Sequence, residues 1–417
     1  MLIEFSVANY RSFKEKVTFS MVAANLVAKD KEIDENNIFA VDDDLKLLKS
    51  AAIYGANASG KSNLTKALAF MKWFMINSSK ETQSTEKIGV ERFQLSTETE
   101  AQPSFFEIIF LLYGQQYRYG FEANTYKVVS EWLFYIPKSR ETKLFERHDN
   151  DINASKKYQA EGIEKRTRHN ALFLSVSAQF NVEIAEIILD CLSKTMKIIS
   201  GLDDREYQGY TISCLIDNQN KNEIIKLIKK LDLGIEDIRA TKTKMNADNL
   251  PNNLIEREVL SVQTLHRKFD DKGSYVSTEL FNLDDQESEG TQKIFALAAP
   301  LVDTLKYGKV LIVDEFEARL HPLISRAIVE LFNSKETNLN NAQLIFMTHD
   351  TNLLSNKLLR RDQIWFTEKD RFGSTDLYSL AEYKVRNDAS FDSDYIKGRY
   401  GAIPYLGDLS QIIESNA

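Results

Sequence analysis

Cysteine is nearly missing from this chain: Cys191 and Cys214 are the only two, and they stand in no ligand spacing. That excludes a disulfide framework and a thiolate metal site, and it fits reduced thiols in a cytoplasmic protein. No apolar run approaches the roughly 18 residues of a membrane span. The N-terminal strand carries Glu4 where a secretory leader would need an unbroken apolar core. An excess of positive charge is lacking too, since 61 acidic residues outnumber 53 basic ones and leave a net charge of −8. Bulk attraction to nucleic acid is therefore disfavoured, and any DNA or RNA site must be local. The candidates are Lys226, Lys229 and Lys230, then Arg239, Lys242 and Lys244, and the pair Arg360-Arg361. Short charge clusters of this kind are usually solvated faces. Internal repeats and sustained heptads are absent, which rules out a long coiled-coil arm. A guanine-reading Asn/Thr-Lys-x-Asp motif after a late strand is absent as well, against a Ras-like GTPase.

What is present suffices for a large core. The 417 residues are 43% hydrophobic and 27% charged, more chain than one compact core needs, so a second lobe is expected.

The most informative stretch is Gly55-Ala56-Asn57-Ala58-Ser59-Gly60-Lys61-Ser62, which follows the short apolar run Ala51-Ala52-Ile53-Tyr54 and precedes Asn63. Every fixed position of the phosphate-loop template G-x-x-x-x-G-K-[ST] is filled. The glycines let backbone amides turn toward phosphate oxygens, and a helix opening near Lys61 adds its positive end. Lys61 reaches the β- and γ-phosphates, and the Ser62 hydroxyl offers a ligand to Mg²⁺. ATP with Mg²⁺ is the expected cofactor pair.

Downstream, Lys309-Val310-Leu311-Ile312-Val313 reads as a buried strand that delivers Asp314 and Glu315 at its C-terminal end, where ligands of α/β sheets sit. Asp314 suits Mg²⁺, and Glu315 suits the attacking water as general base. Between the two motifs, Glu287-Ser288-Glu289-Gly290-Thr291-Gln292-Lys293 opens a helix with apolar residues at Ile294, Leu297, Ala298, Leu301 and Leu305. Ser288 at an N-cap and Gly290 beside it make a second anion cradle, similar to the ABC-type signature S-x-G-[GTQ]-Q. Pro300 suggests a kink or a boundary in that helix. A further strand, Gln343 to Met347, ends in Thr348-His349-Asp350.

Taken in order, phosphate loop, signature, acidic pair and histidine resemble the ABC-type ATPases of the OLD, RloA and AbiLii kind, which are associated with bacteriophage defence and related to SMC and Rad50 heads. The resemblance also rests on Asn9-Tyr10-Arg11-Ser12-Phe13, on Leu320-His321-Pro322, on Asn170-Ala171-Leu172-Phe173-Leu174-Ser175, and on Tyr395 to Pro404. The last two stretches look most like the RloA branch. The resemblance implies that His349 contacts the γ-phosphate and that Ser288 and Gly290 serve the nucleotide of a second copy. It also implies that Arg11 and Ser12 lie near the nucleotide, while Gln94 is the candidate for completing the Mg²⁺ shell. The partners it implies are a second copy in a nucleotide-sandwich dimer and a separate nuclease or Toprim-like effector.

The expected fold is α/β, a phosphate-loop NTPase of the ABC/SMC-like head type with an antiparallel β subdomain and a helical insertion lobe. Residues 1–130 form the N-terminal half of the head, 131–254 a mainly helical insertion, and 255–417 the C-terminal half and tail. Helices are expected near Val182 to Ile199 and Lys221 to Leu231. Asp392-Ser393-Asp394 reads as a solvated loop rather than a Toprim acid pair. The expected activity is ATP hydrolysis to ADP and phosphate, serving the sensor of an anti-phage system. The alternatives are an SMC- or Rad50-like DNA-maintenance ATPase and, with less support, a transporter motor.

Overall fold

Runs of alternating buried and half-buried residues fold into antiparallel ladders, and the fully apolar runs become central strands. The computed structural model describes residues 1–81, 83–137, 140–232, 234–244, 258–386 and 389–405. Two compact units result, Met1–Met196 with Ile345–Ala417, and Lys197–Leu344. The division falls within the strand Gln343–Met347.

In the first unit, seven strands form an antiparallel sheet in which Leu2–Ala8 lies between Val17–Ser20 and Ser104–Leu112. Gln115–Ala123, Val128–Ile136, Thr142–His148 and Asp151–Ala154 extend it by successive hairpins. Strict alternation over Ser104–Leu112 buries one face, as a half-solvated antiparallel sheet requires. The sheet corrects the expected helical insertion from residue 131, because Glu131 stands inside a strand. Its carboxylate is buried and accepts bonds from the Phe173 and Leu174 amides at 2.6 and 3.0 Å and from the Tyr119 hydroxyl at 2.9 Å. A charge that reads as a boundary is thus an internal cap for the helix Phe173–Gln179.

The strand Ser50–Tyr54 is buried at every residue and runs parallel to Ile364–Lys369, with Ala52 opposite Ile364. Such burial on both faces is the reason for its unbroken apolar run. The helix Lys61–Asn77 follows it. Tail residues pack onto this strand: the Tyr395 ring lies 5.9 Å from Tyr54, and the Tyr395 hydroxyl donates to the Ala402 carbonyl at 3.0 Å. Asp392 and Asp394 belong to the short helix Phe391–Ile396, not to a loop.

The second unit centres on the helix Glu289–Tyr307, buried on all sides from Lys293 to Thr304 and packed by the helices Arg205–Ile216 and Lys221–Leu231. Pro300 sits inside this helix and does not end it. The carbonyl of Ala296, which Pro300 cannot serve, accepts instead from the Thr211 hydroxyl at 2.9 Å. Three antiparallel strands complete the unit, Asp237–Lys244, Glu258–Phe269 and Tyr275–Asn282, with Lys242 opposite Leu260. The expected domain limit at Leu254 lies outside the described residues, yet this sheet joins strands from both sides of it. The helix expected to reach Ile199 is Glu183–Thr195, and Met196–Ser200 continues as a strand.

Candidate functional site

The first unit assembles the phosphate loop from below. Gly60 adopts φ +119°, and a Cβ there would lie 2.4 Å from the Thr375 hydroxyl, so only glycine fits. At Gly55 a Cβ would meet Ser59 and Thr367 at 2.5 Å. Ala58 takes the left-handed conformation at φ +63°. Hydroxyls knit the underside of the loop: Ser59 to Thr367 at 2.6 Å, and Thr375 to the Ser59 carbonyl at 2.8 Å. Ser12 joins this support, accepting from Asn63 Nδ2 at 2.7 Å and pairing with the Thr375 hydroxyl oxygen at 2.8 Å. These bonds tie Ser12 to the underside of the loop.

Lys61 is buried, and its ammonium donates to the Gly55 and Ala56 carbonyls at 2.8 and 3.1 Å. No side chain caps the N-terminus of its helix, and no acidic residue stands in the first turn. An open, positive helix end over a glycine loop is a fitted receptor for phosphate.

His349 is exposed just beyond a strand that reaches the loop's own strand, where the Thr348 amide donates to the Ile53 carbonyl at 3.1 Å. The Tyr54 hydroxyl, next to Gly55, donates to the Asp350 carbonyl at 3.2 Å. Arg11, at φ +51°, turns its guanidinium to Glu91 at 2.5 Å and lies over the Tyr10 ring. Gln94 is exposed beside Phe93, whose amide Asn9 holds at 3.0 Å. Among the described residues no hydrogen bond joins Gln94 to the loop.

The second unit places the acidic pair at the end of Val310–Asp314. One Asp314 carboxylate oxygen, Oδ1, is buried with no protein partner among the described residues. An ionised oxygen left so would cost several kcal/mol, on the order of a buried unpaired charge, unless a cation takes it. The described residues hold no cluster of three or more histidine, cysteine or acidic side chains. A single aspartate carboxylate at a strand end suits Mg²⁺, which takes one or two protein oxygens and draws the rest of its shell from water and phosphate. Glu315 follows in the left-handed region at φ +52°, an uncommon state for a residue with a Cβ.

Ser288 caps the signature helix as expected, accepting from the Thr291 amide at 3.1 Å. A Cβ on Gly290 would stand 3.3 Å from the Arg319 carbonyl. The cradle and the turn after Glu315 are therefore neighbours in one unit.

Residues that sequence reasoning missed include Thr375 and Thr367 under the loop, and Gly201, Asp204, Tyr207 and Lys293 behind the acidic pair. The one available signal was Lys293, a charge one turn before Leu297 on an otherwise apolar face.

Strand, glycine loop, uncapped helix and an acid pair at a strand end define an α/β phosphate-loop protein of the nucleotide-binding class. The chain belongs to the family described as AAA domain, putative AbiEii toxin, Type IV TA system, which it matches over residues 50–182 and 207–355. No curated protein matches it. Among solved structures it is similar to the SMC head domain from Thermotoga maritima, at 13% identity and a TM-score of 0.40, covering 91% of this chain and 98% of that one. The Smc head of Pyrococcus furiosus bound to the C-terminal domain of ScpA gives 13% and 0.38, covering 96% and 98%. The recombination mediator RecF gives 12% and 0.36, covering 90% and 98%.

Proposed function

We propose that this protein hydrolyses ATP to ADP and phosphate in a head-to-head pair of copies, and that the cycle drives the sensing component of an anti-phage defence system. The observation that carries the proposal is the phosphate loop, with Lys61 buried in it and an uncapped helix end above. Lys61 would hold the phosphates, while Ser62 and Asp314 would supply oxygens to Mg²⁺. The metal's contribution is to neutralise charge building on the transferred phosphoryl group. Glu315 accepts the proton of the attacking water. His349 reads the γ-phosphate, and Ser288 with Gly290 offers an anion cradle to the nucleotide of the second copy.

A defence setting is supported by the family's own description as a putative toxin of a toxin–antitoxin system. A separately encoded nuclease or Toprim-like effector would act on the signal. The protein is tested by phosphate release from ATP with Mg²⁺ and after EDTA, and by phage plating on cells carrying the intact locus or its Glu315→Gln form. Metal-dependent turnover and loss of protection in the variant are expected. Full protection by the variant would overturn the defence reading, and turnover stimulated by DNA alone would favour a DNA-maintenance role.

A further inference from the structure

The signature helix carries a lysine on a face that packs inward. Lys293 is fully buried, and an ammonium there is tolerable only if its protons are taken. All three have acceptors: the Gly201 carbonyl at 2.7 Å, Asp204 Oδ1 at 2.9 Å and the Tyr207 hydroxyl oxygen at 2.5 Å. Burial pushes the ammonium below its usual range, and Asp204 offsets part of that. Tyr207 in turn donates to Asp204, whose other oxygen accepts from the Arg319 guanidinium. Three segments distant in sequence thus meet on one side chain.

What they grip is the acidic pair. The Gly201 amide donates to the Asp314 carbonyl at 2.6 Å, and a Cβ on Gly201 would fall 1.8 Å from the Glu315 carbonyl oxygen. Backbone therefore rests directly on backbone where Glu315 takes its left-handed turn. Arg319, also left-handed at φ +63°, ends that turn and closes onto Asp204 from the other side. A conformation costing about 1 kcal/mol or more persists only where its surroundings hold it, and here the holding groups converge on Lys293.

We propose that Lys293 is a positioning residue for Asp314 and Glu315, acting through Gly201 and Asp204, so that the signature helix and the acidic pair move as one body. The inference rests on Glu315 being the water-activating residue. It adds that a shift of the signature helix, as when a second copy's nucleotide engages Ser288, is transmitted to Glu315 through a single buried ammonium.

The test uses the full chain with Lys293→Met, which keeps the stem and removes the donors, and the milder Tyr207→Phe. In Lys293→Met the turnover number should fall by about 10- to 100-fold, the cost of a small misplacement at the reacting centre, with equilibrium ATP binding unchanged within about threefold. Hydrogen exchange in nucleotide-free protein should accelerate by about tenfold or more at Gly201 and at residues 315–319, and stay unchanged across Lys61–Asn77. Tyr207→Phe should show the same pattern more weakly. Unchanged exchange at those sites, or altered exchange with wild-type turnover, overturns the positioning role. Acceleration spread evenly over the whole chain in both variants also overturns it, since the pair then only supports the fold. Absence of turnover in the wild-type protein would instead refute the catalytic reading, while the exchange data still decide whether Lys293 holds the turn.

Discussion

Lys61 and Glu315 are each tied to their motifs by backbone geometry, so their substitutions separate two kinds of defect. Lys61 sits against its own loop, and in the proposed cycle its charge meets phosphate in ground and transition states alike. Lys61→Ala should therefore weaken equilibrium binding of a fluorescent ATP analogue and abolish turnover together, and unchanged affinity would contradict the phosphate-loop assignment. Glu315→Gln keeps shape and loses basicity. It should bind ATP normally yet hydrolyse it more slowly by about two to four orders of magnitude, which single-turnover measurements would detect; near-normal rates would remove Glu315 from the general-base role. These residues were legible because each stands at a fixed place in a local template. Thr375, Gly201 and Asp204 were not, because they reach the site through tertiary approach that no spacing encodes.

At the scale of elements, buried polar bonds decide where helices begin and continue. Thr211 repairs the gap that Pro300 leaves in the signature helix. Thr211→Val should lower stability by about 1–3 kcal/mol, the cost of an orphaned buried carbonyl, measured as a reduced urea midpoint; an unchanged midpoint would mean that the helix relaxes to satisfy Ala296. Glu131 and Arg147 are both buried, the arginine donating to the Ala171 carbonyl at 2.7 Å. Glu131→Ala strips the cap from Phe173–Gln179 and leaves that guanidinium without its counter-charge. A loss of about 3–5 kcal/mol follows, and a variant that melts like the wild type would show that the cap is dispensable. The strand that precedes the phosphate loop was readable from its unbroken apolar run. The sheet beyond Glu131 was not, because a buried carboxylate looks like a surface residue until its partners from residue 173 onward are in place.

At the scale of the whole molecule, Ser288 and Gly290 form a capped cradle in one unit while the phosphate loop is built in the other. In the proposed cycle each cradle acts on the nucleotide of a second copy. Ser288→Arg should leave ATP binding by the single chain intact and block ATP-dependent pairing, since bulk and charge would fill the space for the γ-phosphate. The most direct measurement mixes Ser288→Arg with Lys61→Ala chains, each inactive alone, after exchange of subunits has been verified. A heterodimer then retains one site with an intact phosphate loop from one chain and an intact cradle from the other. Recovery of part of the lost hydrolysis, rising and falling with the mixing ratio, is the predicted result; complete absence of recovery at every ratio would contradict independent sites shared between copies.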